Sequence, residues 1–353
     1  MNLRRKRPLV GLDIGTSSVK AAVLKPGRKG RGYTLQHLDA VPLPPEVIVD
    51  GAIMDSGPIV DAITRLGEAS KVRSPEVAVA LSGHSVIVKR VSIPSMSSEE
   101  LAESIHWEAE QYIPFDIDDV NIDYQVLDQH EDGDQMDVLL VAVKKDKIQD
   151  YTSVISQAGR IPVVVDVDVF AVQNAYEINQ GALPGEAVAL VNVGAAVTNV
   201  AILTGGQSRF WRDLSVGGNL YTEAIQRELG VTYEEAEEAK RGRSGAEIDP
   251  GSLAPIMESI TEDVVGEIQK TVDFFLASQT DQELSRMVLS GGTAQMEALP
   301  PMLAERLGCP VEHLDPFAAL AIDSRSVSEE VLAELGSSAA VAIGLAIRKV
   351  DDR

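Results

Sequence analysis

The chain has 353 residues, which exceeds one typical domain core, so two domains or one discontinuous pair are expected. Hydrophobic residues make up 44% and charged residues 24%, a composition that is typical of soluble globular proteins and excludes disordered and fibrous ones. The 31 basic and 54 acidic residues leave a net charge of −23, which argues against general binding to nucleic acid or to anionic lipid.

A basic cluster at residues 4–7 is interpreted as a solvated tail that favours a cytoplasmic location, rather than as a binding site. No long apolar run follows it, so the sequence predicts neither a signal peptide nor a membrane span. The single cysteine, Cys309, rules out an intramolecular disulfide and a cysteine cluster for a metal, and we expect it to be buried. These features predict a cytoplasmic protein that does not itself insert into a membrane.

Residues 8–24 form the first motif, in which an apolar strand ends at Asp13 and a tight polar turn leads to a second apolar run. A glycine in the turn lets the backbone approach phosphates, and hydroxyl and amide groups there add hydrogen-bond donors. Lys20 would add a point charge for the outer phosphates, and Asp13 would hold Mg²⁺ through water. The candidate ligands within the turn are Gly15, Thr16, Ser17 and Ser18. On this motif alone, an ordinary β-hairpin with a polar turn is the better interpretation.

Two strands, a helix and a turn are predicted between the first motif and residue 86. Residues 33–41 extend the first sheet, residues 56–70 form an amphipathic helix, and residues 76–81 form a short buried strand. His84 lies in the following turn, with no His, Cys or carboxylate near it at the spacing of metal ligands. We therefore expect His84 to be an exposed turn residue and not a metal ligand.

Residues 86–159 are predicted to form a small inserted module. Its elements run strand, helix, strand, strand, helix over residues 86–93, 101–112, 122–127, 138–143 and 147–157, with an acidic turn at residues 130–134. Acidic residues 116, 118, 119 and 123 lack the spacing and the central glycine of a calcium loop, so they are interpreted as a solvated face. Because the module has no catalytic cluster, we predict a role in interaction.

A second strand–turn–strand motif follows the module. A strand at residues 163–165 leads into a helix that begins near Asp168 and ends at residue 179. Residues 187–203 then repeat the opening motif, as two apolar strands joined by a turn of small residues at 194–198. A nucleotide held between two pseudo-equivalent domains needs one such hairpin from each, so the repetition favours a phosphate site over two ordinary hairpins.

The remaining predicted elements are mainly helical. They are a Gly-Gly turn at 215–219 before a helix at 220–229, a helix at 232–241 capped by Thr232, a long helix at 256–278, and a final apolar helix at 337–349. A strand at residues 287–290 opens into Gly291 and Gly292. Glycines at a strand–helix junction let a flat ring lie against the backbone, which suits an adenine.

The order of these motifs resembles the actin-like ATPase superfamily. The segments that carry the resemblance are LDIGTSSVK at 12–20, VNVGAAVTN at 191–199, VGG at 216–218, AEEAK at 236–240 and LSGGTA at 289–294. The resemblance implies an α/β protein with a duplicated RNase-H-like fold, with ATP in the cleft between the domains and a small α+β module inserted in the first.

Within this superfamily the module resembles that of FtsA and, more closely, that of the PilM family. Residues 92–119, 141–160, 165–179 and 339–348 carry the closer likeness. It implies a cytoplasmic protein of the type IV pilus machinery, held at the inner membrane by protein partners. The implied partner is the N-terminal cytoplasmic tail of PilN. Such a peptide could add a strand or fill an apolar groove between the first domain and the module, and residues 86–115 are the candidate lining.

The resemblance also implies a division into domains and a set of ligand residues. The first actin-like domain would comprise residues 8–85, 160–185 and 338–350, the module residues 86–159, and the second domain residues 186–337 with a helical subdomain at about 220–285. The implied ATP contacts are Asp13, Gly15, Thr16, Ser17, Ser18 and Lys20 in the first phosphate motif, Asn192, Gly194, Ala195 and Thr198 in the second, Gly217, Gly218 and Asn219 beside the phosphates and sugar, Glu237 and Lys240 beside the ribose and adenine, and Gly291, Gly292 and Thr293 in the adenosine motif.

Two of the implied roles concern hydrolysis. Asp168 lies where relatives carry a residue that orients the attacking water. Asn192 departs from the pattern, because the second motif usually begins with Asp, and an amide carries no charge and binds Mg²⁺ more weakly. We therefore predict binding of ATP and Mg²⁺ with slow or negligible hydrolysis.

Alternatives remain open at this point. Glu237 and Lys240, taken without the surrounding motifs, are better interpreted as an exposed ion pair one helical turn apart. A filament-forming cytoskeletal protein like FtsA and a small-molecule kinase of the same superfamily are the alternatives to an assembly adaptor.

Overall fold

A computed structural model describes residues 8–27, 32–69, 74–129, 133–181, 185–243, 248–278 and 283–350. The basic cluster at residues 4–7, the end of the first predicted helix at Ser70 and residues 130–132 of the acidic turn lie outside the described residues. In the described part, no helix combines the length and apolar composition that a bilayer span requires.

The strands in chain order are β1 (Val10–Ile14), β2 (Ser18–Pro26), β3 (Tyr33–Pro42), β4 (Ile48–Val49), β5 (Ala52–Ile53), β6 (Glu76–Leu81), β7 (Val86–Pro94), β8 (Val120–Gln129), β9 (Gln135–Lys144), β10 (Ile161–Val167), β11 (Ala187–Val193), β12 (Thr198–Thr204), β13 (Gln207–Leu214), β14 (Arg286–Ser290), β15 (Val311–His313) and β16 (Ala321–Ile322). The α-helices are α1 (Ser56–Ala69), α2 (Ser98–Glu110), α3 (Lys145–Gln157), α4 (Asp168–Asn179), α5 (Gly218–Leu229), α6 (Tyr233–Lys240), α7 (Pro250–Ala277), α8 (Leu299–Leu307), α9 (Glu329–Leu335) and α10 (Ala340–Ala346).

Two sheets share one topology. The first has the order β10-β6-β1-β2-β3-β16, and the second has the order β13-β12-β11-β14-β15. In each sheet, the first three strands along the chain are antiparallel neighbours. A later strand then pairs in parallel with the remaining edge of the first strand: β6 pairs with β1, and β14 pairs with β11. Apart from β16, which is present only in the first sheet, the two sheets therefore have the same strand order. The predicted duplicated RNase-H-like fold is confirmed.

Helices α4 and α10 pack closely where the two sheets meet. A Cβ added to Gly344 of α10 would lie 1.7 Å from the carbonyl oxygen of Ala171 in α4, and one added to Gly11 of β1 would lie 2.1 Å from that of Ala342. Only glycine allows backbones to approach so closely. The core around these helices contains side chains of both sheets, including Ala80 of β6 and Leu190 of β11. The cleft between the two halves thus rests on a continuous core.

The inserted module has its own sheet, in the order β7-β9-β8, and its own core. Helix α2 covers this sheet with Leu101 and Ile105, and a capping box between Ser97 and Glu100 fixes its start. Helix α3 lies within the predicted module range 86–159, but its buried side chains, such as Ile155, pack with α1 against the first sheet. The structure thus places α3 with the first domain core.

The C-terminal part of the predicted second domain also contacts the first sheet. Strand β16 pairs in parallel with β3, and helix α9 contacts the same strand. The final helix is shorter than the predicted range 337–349, because residues 336–339 form a 3₁₀ turn before α10 begins. The long helix is longer than predicted, since Asp249 caps α7 seven residues ahead of Ile256. Cys309 is buried, as predicted.

Candidate functional site

A cleft of about 1020 Å³ lies between the two halves of the molecule. Most of the predicted ligand residues line it: Asp13, Gly15, Thr16, Ser17, Ser18, Lys20, Asp168, Asn192, Gly194, Ala195, Glu237, Lys240, Gly291, Gly292 and Thr293. The structure therefore brings together groups from both hairpins, from the helical segment and from the Gly-Gly turn. Thr198, Gly217, Gly218 and Asn219 do not line the cleft but lie behind the second turn.

The first hairpin presents a charged pair to the cleft. Asp13 and Lys20 are direct partners across β1 and β2, and the lysine Nζ lies 3.0 Å from the aspartate Oδ2. The turn closes when the Gly15 N–H donates to the Ser18 carbonyl at 3.1 Å. The backbone N–H groups of Thr16 and Ser17 donate to no acceptor in the described chain, so they remain available for a ligand.

The second hairpin repeats this backbone with different side chains. Its turn closes when the Gly194 N–H donates to the Val197 carbonyl at 3.0 Å. Asn192 and Asn199 occupy the same register positions as the charged pair of the first hairpin, and the Asn192 Nδ2 donates to the Asn199 Oδ1 at 2.9 Å. The N–H of Ala195 donates to no acceptor within the described ranges. Two turns of equal shape thus line one cleft, and only the first is charged.

The start of α5 supports the second turn. The Gly218 N–H donates to the Gly194 carbonyl at 3.0 Å, and the Asn219 N–H donates to the Ala195 carbonyl at 2.8 Å. A Cβ added to Gly217 would lie 2.6 Å from both carbonyl oxygens. The Thr198 hydroxyl donates to the carbonyl of the residue before Gly217 at 2.8 Å. These four predicted ligands hold the shape of the turn, and direct contact between them and a nucleotide stays a prediction.

Glu237 and Lys240 form a largely buried network on α6 and not an exposed surface pair. The Glu237 side chain is 14% exposed and the Lys240 side chain is 13% exposed, and the two side chains form a direct ion pair. The Lys240 Nζ also donates to the Thr222 hydroxyl at 2.9 Å, and that hydroxyl donates to the Glu237 carboxylate at 2.5 Å. Loss of hydration opposes ionisation of Glu237, but Lys240 and these hydrogen bonds outweigh it and lower its pKa.

The Gly-Gly turn after β14 packs on the second hairpin. Gly291 has a φ of +93°, and a Cβ added to it would lie 2.3 Å from the Val193 carbonyl oxygen. The Thr293 hydroxyl donates to the Gly194 carbonyl at 2.8 Å. Apart from Gly292 itself and its two chain neighbours, no atom lies within 4 Å of the place where a Cβ of Gly292 would stand. Gly291 and Thr293 therefore anchor the turn, while Gly292 leaves open backbone in the cleft.

Asp168 begins α4 and faces the cleft. Loss of hydration, reinforced by the charge of Asp13, raises the pKa of Asp168 to about 7, although a hydrogen bond with Ser82 opposes the shift. A carboxyl group with this pKa is partly protonated at neutral pH. Its predicted role in orienting water stays a prediction.

Two further cleft residues, Asp213 and Lys147, were not predicted from the sequence. Loss of hydration raises the pKa of Asp213 and lowers the pKa of the buried Lys147. Lys147 donates to the Gly51 carbonyl at 2.5 Å. Asp213 lies on β13, directly across the ladder from Asn199. Recognition of β13 as the third strand of the second sheet would have revealed Asp213.

His84 is an exposed turn residue, as predicted, and it takes part in a contact between the two halves. Its Nε2 lies 2.9 Å from the hydroxyl of Ser215, and the N–H of the neighbouring Gly83 donates to the Asp213 carboxylate at 2.6 Å. Within the described ranges, no three His, Cys, Asp or Glu side chains come together in a way that would hold a metal. The predicted Mg²⁺ contact therefore depends on Asp13 and on the nucleotide itself.

Comparison with known proteins identifies the family. The family model described as "Type IV pilus assembly protein PilM" matches residues 11–350. The chain belongs to this family. Its fold is also similar to a chain of a "PilM-PilN type IV pilus biogenesis complex", with 28% identity, a TM-score of 0.84, and coverage of 98% of this chain and 99% of that one. The predicted membership of the PilM family is confirmed.

More distant structures share the fold alone. The ethanolamine utilization protein EutJ from Carboxydothermus hydrogenoformans is 15% identical, with a TM-score of 0.54 and coverage of 98% of this chain and 91% of that one. MreB5 of Spiroplasma citri, solved with ADP bound, is 14% identical, with a TM-score of 0.50 and coverage of 96% and 95%. These likenesses support the actin-like architecture that the sheet topology shows.

Proposed function

We propose that this PilM-family chain is a nucleotide-binding adaptor of type IV pilus assembly, and that it binds the N-terminal cytoplasmic tail of a PilN-like membrane protein. The likeness of the whole chain to a chain of the PilM–PilN complex carries the proposal, at 28% identity over 98% of the residues. The partner would hold this protein at the cytoplasmic face of the inner membrane.

The groups that line the cleft suit a nucleoside triphosphate. Thr16, Ser17 and Ala195 offer N–H groups that have no acceptor in the described chain, and Lys20 supplies a positive charge beside them. Gly292 offers open backbone to a flat base. Magnesium bound with the nucleotide would offset phosphate charge, and Asp13 would hold it through water.

Slow or negligible hydrolysis follows from the side chains of the second hairpin. Asn192 donates to Asn199 and accepts from Ser290, so both ends of its amide are occupied by protein groups. An amide also carries no charge, so Asn192 would not help to organise a metal ion or an attacking water. We expect the adaptor to retain ATP rather than turn it over rapidly.

The module is the proposed site of the partner, at residues 86–115. Trp107 on α2 has an exposed fraction of 74%, and large exposed aromatic side chains are typical of binding surfaces. Strand β7 of the module follows the turn that contains Gly83 and His84, and that turn contacts the second half of the molecule. Closure of the cleft would thus change the position of the module relative to the second half.

The test is a titration with a synthetic peptide of the tail of a neighbouring PilN-like protein, with and without ATP and Mg²⁺. We expect saturable binding whose affinity changes when nucleotide is present. A scrambled peptide should not bind. Absence of saturable binding of the native peptide under both conditions would contradict the adaptor role.

A matched pair of variants locates the peptide site. Trp107→Ala should weaken peptide binding by about tenfold or more, because truncation of a central aromatic side chain typically costs about 1–2 kcal/mol or more. Phe274→Ala removes an aromatic side chain on α7 with a comparable exposed fraction of 62%, outside the module, and should leave binding unchanged. Equal effects of the two substitutions would contradict a site on the exposed face of α2.

A further inference from the structure

A chain of hydrogen bonds crosses from the Gly-Gly turn to the first half of the molecule. The Ser290 hydroxyl donates to the Asn192 Oδ1 at 3.2 Å, and the Asn192 Nδ2 donates to the Asn199 Oδ1 at 2.9 Å. The Asn199 Nδ2 then donates to the Asp213 Oδ1 at 2.8 Å, and the other oxygen of Asp213 accepts from the Gly83 N–H at 2.6 Å. Four contacts therefore connect β14 to the turn after β6.

Asp213 sets the donor-to-acceptor direction of these hydrogen bonds. An ionised carboxylate only accepts hydrogen bonds, so Asn199 must turn its amide nitrogen towards Asp213 and its oxygen towards residue 192. A donor is then required at residue 192, which Asn192 provides. A carboxylate at residue 192 would place an acceptor against the Asn199 oxygen. Asn192, which stands where the second motif usually has Asp, is thus the donor that this network requires.

The last contact reaches the start of the inserted module. The Gly83 carbonyl accepts from the Val86 N–H at 2.9 Å, and Val86 is the first residue of β7. The neighbouring contact between His84 and Ser215 joins the same two segments. A shift of the second hairpin would therefore be transmitted through Asp213 to the turn from which the module strand begins.

We propose that Asn192, Asn199 and Asp213 form a directional relay that couples the second hairpin of the cleft to the 82–84 turn, with Asp213 as the positioning residue. The relay makes the cleft and the module respond together, and this regulatory consequence rests on the proposed function. The existence of the relay rests only on hydrogen-bond geometry. Coupling between contacting residues is measured by a double-mutant cycle, which therefore tests it directly.

The first measurement is thermal unfolding of the full chain without nucleotide. Asn192→Asp should lower Tm by about 3 to 6 °C, because two acceptors then face each other at Asn199 across buried contacts. Asp213→Asn alone should change Tm by less than about 2 °C, because the new amide can keep its oxygen towards the Gly83 N–H and turn its nitrogen towards Asn199. The amides of Asn199 and Asn192 can then reverse, and the Ser290 hydroxyl can accept at the end of the series. Asp213→Asn placed in the Asn192→Asp background should restore Tm to within about 2 °C of the parent.

A control separates hydrogen-bond direction from charge repulsion. The variant that combines Asn192→Asp with Asp213→Ala also relieves the repulsion, but it leaves Asn199 without its partner on β13, so it should not restore Tm. If the variant that combines Asn192→Asp with Asp213→Asn loses as much Tm as the two single variants together, the relay is overturned. Equal rescue by Ala and by Asn at position 213 would also overturn it.

The second measurement uses the PilN-like tail peptide as the probe. In the parent, magnesium-ATP should change the peptide Kd several-fold. Asn192→Asp should remove most of this change, and adding Asp213→Asn to that variant should restore it. Loss of the nucleotide effect in the double variant, with Tm restored, would overturn the regulatory role. If the parent binds no ATP, the proposed function and the regulatory role both fail, while the unfolding data still decide whether the relay exists.

Discussion

The two hairpins of the cleft share a backbone but differ in chemistry. Asp13 pairs with Lys20 across the first hairpin, and Asn192 pairs with Asn199 at the same register of the second. The first pair is an ion pair at 3.0 Å that faces the cleft, whereas the second is an amide pair whose hydrogen bonds lead on to Asp213. The two hairpins thus share the shape of the turn, but the first carries a charged pair and the second carries an amide pair that is hydrogen-bonded to Asp213.

The hairpins also differ in how tightly their turns are enclosed. A Cβ on Gly15 would have its nearest neighbour, the Ser18 oxygen, at 3.3 Å, which a small shift can accommodate. A Cβ on Gly217 or Gly291 would lie 2.6 or 2.3 Å from backbone oxygens of the second hairpin. The second turn is therefore enclosed by the backbones of Gly217 and Gly291, whereas the first is held by two backbone hydrogen bonds, from Gly15 to Ser18 and from Leu43 to Ser17.

The largest expected effect comes from this difference in packing. Gly291→Ala should lower the free energy of unfolding by about 3 kcal/mol or more, because a φ of +93° and a backbone clash both oppose a side chain. Gly15→Ala should cost less than about 1 kcal/mol. Urea unfolding of both variants measures the difference. Similar losses in the two variants would show that the turns are equally enclosed.

Each half also contributes one lysine–carboxylate pair to the cleft. The side chains of both pairs are 13–14% exposed, so their different hydrogen-bond partners predict the difference in cost. Lys240→Met should lower the unfolding free energy by roughly 2 kcal/mol, because Glu237 loses its counter-ion in a largely buried site. Lys20→Met should cost about 1 kcal/mol, since Lys20 donates to Asp13 alone among the described residues, whereas Lys240 also donates to Thr222 and to the Gly218 carbonyl. Arg241→Ala removes the exposed partner of Glu237 and should cost about 0.5 kcal/mol or less. Urea unfolding measures all three, and a larger loss for Lys20→Met than for Lys240→Met would contradict this ranking.

Local patterns made the cleft predictable from sequence. A glycine after an apolar strand predicts a tight turn, so the two hairpins and the Gly-Gly turn at 291 could be located from the residues alone. The capping signal at Thr232 likewise predicted a helix start, and its capping box is present. These features depend on neighbours within a few positions in the chain.

Features that depend on distant contacts could not be predicted in this way. Apolar periodicity showed that α3 has a buried face, but it does not state whether the module or the first sheet covers that face. Strand β13 was not predicted, because its sequence QSRFWRDL mixes charged and aromatic residues without clear alternation, and Asp213 was missed with it. The support that Gly217 gives the second turn is evident only when α5 is placed against it.

The charge difference between the hairpins predicts which one governs nucleotide affinity. Asp13→Asn should weaken binding of magnesium-ATP by about 10- to 50-fold, because it removes the carboxylate that we propose holds the magnesium ion through water. Asp61→Asn on the exposed side of α1 is a matched control and should leave the affinity unchanged. Titration of a fluorescent ATP analogue measures both. An unchanged affinity in Asp13→Asn would contradict the proposed role of the Asp13 carboxylate in holding the magnesium ion.

The smallest expected effect concerns Asp168, which faces Asp13 from the helix between the two halves. Its folded pKa of about 7 lies above the ordinary value of 3.8, so the folded state holds this proton more tightly than the unfolded state. The contribution to stability is complete below about pH 4 and is lost as the pH rises through about 7. Because Asp168 is partly exposed, we expect a loss of about 1 kcal/mol between about pH 5.5 and 8.0. Asp168→Asn should remove this part of the pH dependence in urea unfolding, and Asp61→Asn should retain it. The same slope in all three proteins would contradict a raised pKa for Asp168 in the folded protein.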